Sequence, residues 1–83
     1  MKEPIIVEAQ TFADGRVRPL AFVWRGRRYK ILSHGRRWVS DGEQRFLVMV
    51  EGEKTFELAL LAEQDRWELR RSPRHFGGPA VAA

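Results

Sequence analysis

The basic and aromatic residues between positions 24 and 38 are the part of the sequence best suited to binding a ligand. This stretch, WRGRRYKILSHGRRW, holds five arginines, one lysine, one histidine and three aromatic side chains, and it contains no acid. Guanidinium groups bind phosphate and carboxylate in a bidentate manner and stack on rings, and exposed aromatic rings stack on nucleic-acid bases. These residue types can therefore bind an anion, and nucleic acid is the anion that suits both of them.

The positive charge of the chain is concentrated before residue 46. The 83 residues carry a net charge of +4, and the sequence pI is about 10.3. Residues 16–45 contain nine arginine and lysine residues against two acids, Asp41 and Glu43, whereas the two signs nearly balance from Phe46 onward. This asymmetry favours attraction to a polyanion, and a solvated polar face without a ligand is the alternative.

Residues typical of catalytic and metal sites are scarce. The absence of cysteine excludes disulfides and thiolate-bound zinc. The neighbours Ser33 and His34 would point to opposite faces of a strand, so they do not form a nucleophile–base pair. His34 and His75 are the only imidazoles, and the glutamates, Glu57 and Glu68 among them, are expected at solvent-facing or hairpin-end positions. We therefore expect a non-enzymatic protein with no metal and no cofactor.

Length and hydropathy indicate one small soluble domain. A chain of 83 residues buries only about 60% of the surface that its unfolded form exposes, so a site should lie on the surface or in a shallow groove. No stretch approaches the roughly 20 apolar residues of a membrane span. The amino terminus has Glu3 and an apolar run limited to residues 5–7, which is not the pattern of a signal peptide. We expect a cytoplasmic protein of a prokaryote.

Glycine-centred turns divide the chain into short alternating segments, a pattern typical of β-strands. Two-residue turns are predicted at Asp14-Gly15, Gly26-Arg27, Gly52-Glu53 and Gln64-Asp65, and a longer loop at residues 40–43. The predicted strands are residues 5–12, 17–25, 28–33, 37–39, 46–51, 55–63 and 66–71. Residues 28–39 could also form one bent strand, and Gly35 is the expected break if they form two.

The predicted turns agree on which side chains share a face of the sheet, because each turn fixes the pairing of its two strands. The apolar face would hold Ile5, Val7, Leu20, Phe22, Trp24, Tyr29, Ile31, Leu47, Met49, Phe56, Leu58, Leu60, Trp67 and Leu69. This consistency predicts an all-β fold, an antiparallel meander of five to seven short strands curled into a small open barrel.

Three segments fit the alternating pattern less well. Residues 56–64, FELALLAEQ, are rich in helix formers; we prefer a strand because Gly52 and the alternating RWELR segment flank them, and a helix is the alternative. Pro19 must lie at an edge or a bulge. The last segment, RSPRHFGGPAVAA, has no period, so residues 1–73 are expected to form the domain and residues 74–83 a disordered tail.

The candidate nucleic-acid-binding residues are basic side chains that the predicted register leaves outside the core, together with one ring. They are Arg25, Arg27, Arg28, Lys30, Arg36, Arg37 and Trp38. Arg25 and Arg28 would face each other across the hairpin. Such a like-charge pair is mildly destabilising, and the need to bind an anionic ligand would explain its presence. Trp38 would form a platform for stacking a base if it is exposed, and core packing is the alternative.

The segment PLAFVWRGRRYKI, residues 19–31, resembles a small bacterial domain of unknown function. That domain occurs free-standing and appended to Y-family DNA-polymerase-like proteins, including damage-response accessory proteins. The resemblance rests on an F-x-W-R-G-R-x-Y pattern at residues 22–29, on the following Trp38, and on a closing W-x-L segment at Trp67 and Leu69. It spans roughly residues 3–71, implies a setting in DNA repair or synthesis, and favours a strand for residues 56–64.

Two functions are therefore considered for this sequence. The leading hypothesis is an accessory module that binds the backbone of DNA or RNA with little sequence preference. The alternative is a protein-interaction module whose exposed strand edges add a strand to a polymerase-like or other acidic partner.

Overall fold

The computed structural model describes residues 2–76, and these form seven β-strands in a single sheet. The strands are β1 (Glu3–Thr11), β2 (Val17–Trp24), β3 (Arg27–Lys30), β4 (Ser33–Ser40), β5 (Glu43–Val50), β6 (Lys54–Leu61) and β7 (Arg66–Arg71). A 3-10 turn (Ala62–Gln64) follows β6, and one helical turn (Pro73–Phe76) follows β7. The predicted tail falls partly on that helical turn, and residues 77–83 lie outside the described part. Within residues 2–76 no helix is long and apolar enough to cross a membrane.

The strand order is β3-β2-β1-β7-β6-β5-β4, and the sheet curls through 213° into an open half-barrel. Every pair of neighbouring strands is antiparallel, which confirms the predicted all-β meander. The first and last strands pair in the middle of the sheet, so the edge strands are β3 and β4, which follow each other in the chain. The opening between β2–β3 on one side and β4 on the other is called the seam below.

The core is built around a cluster of aromatic rings on the inner face of the curled sheet. Phe56 lies between three other rings, with centroid distances of 5.0 Å to Phe22, 5.5 Å to Trp24 and 5.2 Å to Tyr29. Phe22 and Phe56 are fully buried. Residues 56–61 are therefore in a strand, as predicted, and the helical alternative is limited to the 3-10 turn that follows.

The turn between β2 and β3 consists of Arg25 and Gly26, so the predicted turn at Gly26-Arg27 is wrong by one residue. Trp24 pairs with Arg27 across this turn, and both turn residues have positive φ, 52° and 77°. Positive φ at both central positions is the requirement of a type I′ turn, whose twist matches that of the flanking strands.

This displacement moves the pairing by two residues and leaves the faces of the strands unchanged. Phe22 lies opposite Tyr29 rather than Ile31, and all three side chains still point to the core. The predicted pairing of Arg25 with Arg28 is wrong, because Arg28 lies opposite Val23.

The loop between β5 and β6 has three residues, 51–53, so the predicted two-residue turn there is wrong. Val50 pairs with Lys54, and Val48 pairs with Phe56. A shift of one residue turns every side chain of a strand to the other face. The prediction that Leu47 and Met49 lie in the core is therefore also wrong: alternate positions of β5 fill it instead, namely Phe46, Val48 and Val50.

Glu53 gives a first testable prediction, because its backbone is strained in this loop. Its φ is 59°, in the left-handed region that costs a residue with a Cβ about 1–2 kcal/mol and that asparagine adopts more readily. We expect Glu53→Asn to raise the free energy of unfolding by about 0.5 kcal/mol. Urea denaturation followed by circular dichroism measures this. A loss of stability, or a gain equal to that of Glu63→Asn, would contradict it.

Two bulges account for further differences from the predicted register. Pro19 and Ala21 pair with consecutive residues of β1, so Leu20 has no partner on β1 and is 43% exposed; its predicted place in the core is wrong, and Pro19 lies beside a bulge, which is one of the two positions predicted for it. A second bulge lies in β4 at Gly35. The strand break is at residues 31–32 instead of Gly35.

The last two turns also differ in length from the prediction. Ser40 pairs with Glu43, so residues 41–42 form a tight two-residue turn in place of the predicted longer loop. Leu61 pairs with Arg66, so the turn predicted at residues 64–65 spans residues 62–65. The second change again moves the pairing by two residues, and Leu60, now opposite Trp67, keeps its side chain in the core.

Candidate nucleic-acid interface

Two of the predicted phosphate-binding arginines are held by acids from β1. Arg28 donates from Nε and Nη2 to the two carboxylate oxygens of Glu8, at 2.8 and 2.9 Å. That hydrogen bond lowers the pKa of Glu8 and raises the pKa of Arg28. Arg25 donates to Glu3 at 3.2 Å. Both pairs are exposed to solvent and therefore screened by salt, so an anionic ligand would compete with the glutamates for these two arginines.

Eight other cations form no ion pair within residues 2–76, and six of these, which exclude Lys2 and Arg74, lie along the seam. The six are Arg18, Arg27, Lys30, Arg36, Arg37 and Lys54. Four of them belong to the predicted set, whereas Arg18 and Lys54 do not. The guanidinium group of Arg27 lies 5.4 Å from the centroid of the Tyr29 ring, which orients it without neutralising it.

These six cations line two grooves along the seam. The β3 groove, about 390 Å³, has walls formed by Arg27, Arg28, Lys30 and Lys54 with Tyr29, Leu32, Val50 and Glu51. The β2–β4 groove, about 380 Å³, has walls formed by Arg18, Arg36 and Arg37 with Val17, Pro19, His34, Gly35, Phe46 and Leu47. Leu32 belongs to the first groove and His34 to the second, so the grooves are neighbours. Glu51 is the one acid that lines either of them.

Side chains of β4 bridge the seam at the β2–β4 groove. His34 Nε2 donates to the carbonyl oxygen of Pro19 at 2.6 Å, and Arg37 Nη1 donates to that of Val17 at 3.4 Å. Sequence reasoning missed this role of His34, since nothing local indicates that β4 lies across from β2. Within residues 2–76, no group of three or more histidine and acidic side chains could hold a metal ion.

The free edges of the sheet are poorly suited to adding a strand. Pro19 has no N–H to donate, and its carbonyl oxygen is occupied by His34. The edge of β4 is interrupted by a bulge between His34 and Arg37, and β3 is only four residues long. Bulges, short strands and charged side chains are the features by which proteins protect edges from pairing.

Trp38 lies outside the core, on the face of the sheet that also carries its cross-strand partner, Arg45 of β5. We call this side of the sheet, opposite the aromatic cluster, the outer face. The Trp38 ring is half-buried, and the Arg36 guanidinium lies 5.1 Å from its centroid. Trp38 lines two further grooves, one of about 300 Å³ shared with Arg16 and Arg37 and one of about 420 Å³ shared with Lys2 and Arg45. It is therefore neither fully exposed nor a core residue.

A network of buried ion pairs on the outer face supports this region. Each of three glutamates accepts hydrogen bonds or ion pairs from two arginines: Glu43 from Arg45 and Arg70, Glu57 from Arg45 and Arg71, and Glu68 from Arg66 and Arg70. Glu57 is 2% exposed and Glu68 is 7% exposed, so their predicted solvent-facing positions are wrong. The signal that could have revealed them is the placement of acids and arginines at facing positions of three adjacent strands.

The network predicts a loss of stability in acid. The hydrogen bond from Arg70 lowers the pKa of Glu43 below its ordinary value. A carboxyl with a lower pKa in the folded state stabilises the protein at pH values above its unfolded pKa, about 4.3, and this contribution is lost as pH falls through the folded value. We expect Glu43→Gln to be less stable than the native protein at neutral pH and nearly equal to it in strong acid. Urea denaturation at a series of pH values checks this, and a stability difference independent of pH would contradict it.

Comparisons with known proteins assign no family to the chain. No protein-family model, no characterised protein and no solved structure matches it. The resemblance to a domain of polymerase-like proteins therefore stays a prediction, and the function has to be proposed from the geometry of the described residues.

Proposed function

We propose that this protein is a non-enzymatic accessory module that binds the sugar–phosphate backbone of nucleic acid, with little sequence preference, along the seam. The observation that carries the proposal is the set of six cations that line the two seam grooves without an acid partner within residues 2–76. The resemblance at residues 19–31 suggests DNA repair or synthesis as the setting.

The distribution of acids supports this assignment. The chain has eleven acids, and seven of its arginines pair with one or more of them within the described residues. Pairing of arginines with acids is thus common on this sheet, whereas along the seam only Arg28 has an acid partner among the cations that line the two grooves. Like charges held close together repel one another, and phosphates arriving with a polyanion would relieve that repulsion while releasing counterions.

The proposed interface differs from the set expected from the sequence. Arg27, Lys30, Arg36 and Arg37 keep the role of phosphate contacts, and Arg18 and Lys54 join them. Arg25 and Arg28 contribute less, because each must first exchange a glutamate for a phosphate.

Strand addition to a protein partner is the weaker alternative, because the edges of the sheet are protected. An acidic protein could still bind the cations of the seam through its side chains. Competition separates the two classes: nucleic acid should displace such a protein from the seam, whereas a partner paired with a strand edge would remain bound.

Salt-dependent binding to an oligonucleotide tests the proposal. The probe is a fluorescein-labelled oligonucleotide that exceeds the 41 Å length of the molecule, and binding is followed by fluorescence anisotropy. Each phosphate contact lowers log K by about 0.7–0.9 per log unit of salt, so six contacts give a slope of about −4 to −5. The absence of binding at low salt and high micromolar protein would overturn the proposal.

A matched pair of charge reversals localises the binding. Arg18→Glu changes a cation of the β2–β4 groove, and Arg74→Glu makes the same change on the helical turn, which packs against β6 and β7 and whose Arg74 lines neither seam groove. We expect the first variant to weaken binding about tenfold and to reduce the salt slope, and the second to have a small effect. Equal losses in both variants would show that net charge alone, without a site at the seam, attracts the oligonucleotide.

A further inference from the structure

We propose that the ligand is single-stranded nucleic acid and that Trp38 stacks on one of its unpaired bases. This inference rests on the proposed function and names the substrate class for the same interface. The ring of Trp38 supplies a contact to a base, whereas the seam supplies contacts to phosphates.

Trp38 differs from the other two tryptophans in its surroundings. Trp24 packs on Phe56, and Trp67 packs on Phe46 at a centroid distance of 5.4 Å. Within residues 2–76, Trp38 contacts no other ring, and it lies on the outer face, away from the core that the other two rings build. The residue is therefore not required to fill the core.

The ring of Trp38 is prepared for stacking by its neighbours on β4. The Arg36 guanidinium lies 5.1 Å from the ring centroid, and residues two apart on a strand lie about 6.6 Å apart on one face. Trp38 lies opposite Arg45 on the neighbouring strand and lines a groove with it, and the Arg45 side chain is fixed by Glu43 and Glu57. A base would take the place of the Arg36 guanidinium over this ring, and the displaced guanidinium would meet the phosphate of the same nucleotide.

The groove that Trp38 lines with Arg16 adjoins the β2–β4 groove at Arg37. Arg37 lines the β2–β4 groove and also the groove of about 300 Å³ that Trp38 lines together with Arg16. A chain lying along the seam past Arg36 and Arg37 therefore reaches the tryptophan directly. One strand can place its phosphates in the grooves and turn one base toward the ring.

A duplex cannot make the same set of contacts. Its bases are paired and stacked inside the helix, and exposing the face of one base requires unpairing it at a cost of a few kcal/mol. A single strand presents its bases already unstacked, and an aromatic platform binds them with little sequence preference because every base has a π-face. The arrangement of Trp38 beside the seam therefore favours single-stranded over double-stranded nucleic acid and does not discriminate between base sequences.

The experiment compares three probes that carry equal numbers of phosphates: oligo(dT), a hairpin duplex, and an abasic single strand. The native protein should bind oligo(dT) about tenfold more tightly than the abasic strand, and also more tightly than the duplex. Trp38→Leu should lose that tenfold preference for oligo(dT) while its salt slope and its affinity for the abasic strand stay unchanged. Trp38→Phe should retain most of the preference, because a ring remains.

The outcomes distinguish this inference from the proposed function. If all three probes bind equally to the native protein, the seam binds phosphates and stacking by Trp38 is wrong. If none binds, the proposed function fails together with the inference. The abasic probe needs no substitution, so the test stands even if a Trp38 variant does not fold.

Discussion

Replacement of Phe56 by alanine is expected to remove a large part of the stability of the protein. Phe56 is 1% exposed and lies within 5.0–5.5 Å of three other rings, Phe22, Trp24 and Tyr29. Truncating a buried phenylalanine costs about 3–5 kcal/mol. A domain of 83 residues has a total stability of about 4–12 kcal/mol. The variant should therefore lose between about a quarter and all of its stability.

Urea denaturation followed by circular dichroism measures this loss. Phe56→Leu is the matched control, since it keeps an apolar side chain in the cavity and should retain more stability than the alanine variant. Ile6→Ala changes a side chain that is 72% exposed and should cost less than about 1 kcal/mol. A loss of only about 1 kcal/mol for Phe56→Ala would show that the four rings are not the centre of the core.

The aromatic cluster also connects the core to the proposed interface. Phe56 belongs to β6 and packs on Tyr29 of β3, and β3 carries Arg27 and Lys30 of the β3 groove. Beyond β3 the sheet has no further strand, so β3 is paired along one edge only. The packing of Phe56 on Tyr29 therefore helps to hold this edge strand in place. A Phe56 variant that remains folded should consequently bind nucleic acid more weakly, because the cations of β3 lose their fixed positions.

The sequence predicts the fold class well because an error of two residues in the strand pairing leaves every side chain on its predicted face. The turns at residues 25–26 and 62–65 are displaced from their predicted positions, and both displacements move the pairing by two residues. Phe22, Tyr29 and Trp67 therefore point to the core as predicted. Alternation of apolar and polar residues is a local property, and the local signal is sufficient here.

The buried face of a strand is predicted wrongly where the pairing differs by one residue from the predicted register. The loop at residues 51–53 is one residue longer than predicted and turns β5 over, which exchanges Met49 for Val48 in the core. The three-residue length of this loop depends on the positive φ of Glu53. Glutamate does not favour positive φ, so the sequence does not indicate this conformation. Leu20 fails for a related reason, because the bulge next to it leaves it unpaired.

Much of the candidate interface could not be predicted because it depends on long-range pairing. Arg18 and Lys54 are far apart in the chain, and they come to the seam only because β1 pairs with β7 and the sheet curls. Arg28 is held by Glu8, which lies twenty residues away on β1, and no local pattern connects the two. The sequence identifies the cations, whereas the topology decides which of them keep an acid partner.

Arginines have acid partners on the outer face of the sheet, whereas most of the cations along the seam have none. Glu43, Glu57 and Glu68 each bind two arginines, and several of these side chains line a groove together with Trp38. Along the seam, six cations lack such partners. A buried network is rigid because each carboxylate is bound from two sides, and rigidity next to the ring is what the proposed stacking platform requires.

Replacement of Glu57 by alanine is expected to cost about 3 kcal/mol, the lower end of the range for a buried ion pair. The lower end applies because the Arg71 side chain is 47% exposed and Arg45 keeps Glu43 as a partner. Glu57 accepts hydrogen bonds from Arg45 Nη1 at 2.8 Å and from Arg71 Nε at 2.7 Å, and its side chain is 3% exposed. Removing one partner of a buried pair leaves a charge that is costly to keep away from water. Because the network is buried, the loss of stability should persist at high salt.

Glu63→Ala is the matched control for this prediction, since Glu63 is an exposed acid on the 3-10 turn with no ion pair in the described structure. Urea denaturation of both variants at low and high salt separates the two environments. If Glu57→Ala costs no more than Glu63→Ala, the ion pairs behave as surface pairs, and Arg45 does not anchor Trp38. The cost could instead be large, and the variant molecules that remain folded could bind oligo(dT) no better than an abasic strand. That result would show that Glu57 positions Arg45, and through Arg45 the Trp38 ring that stacks on the base.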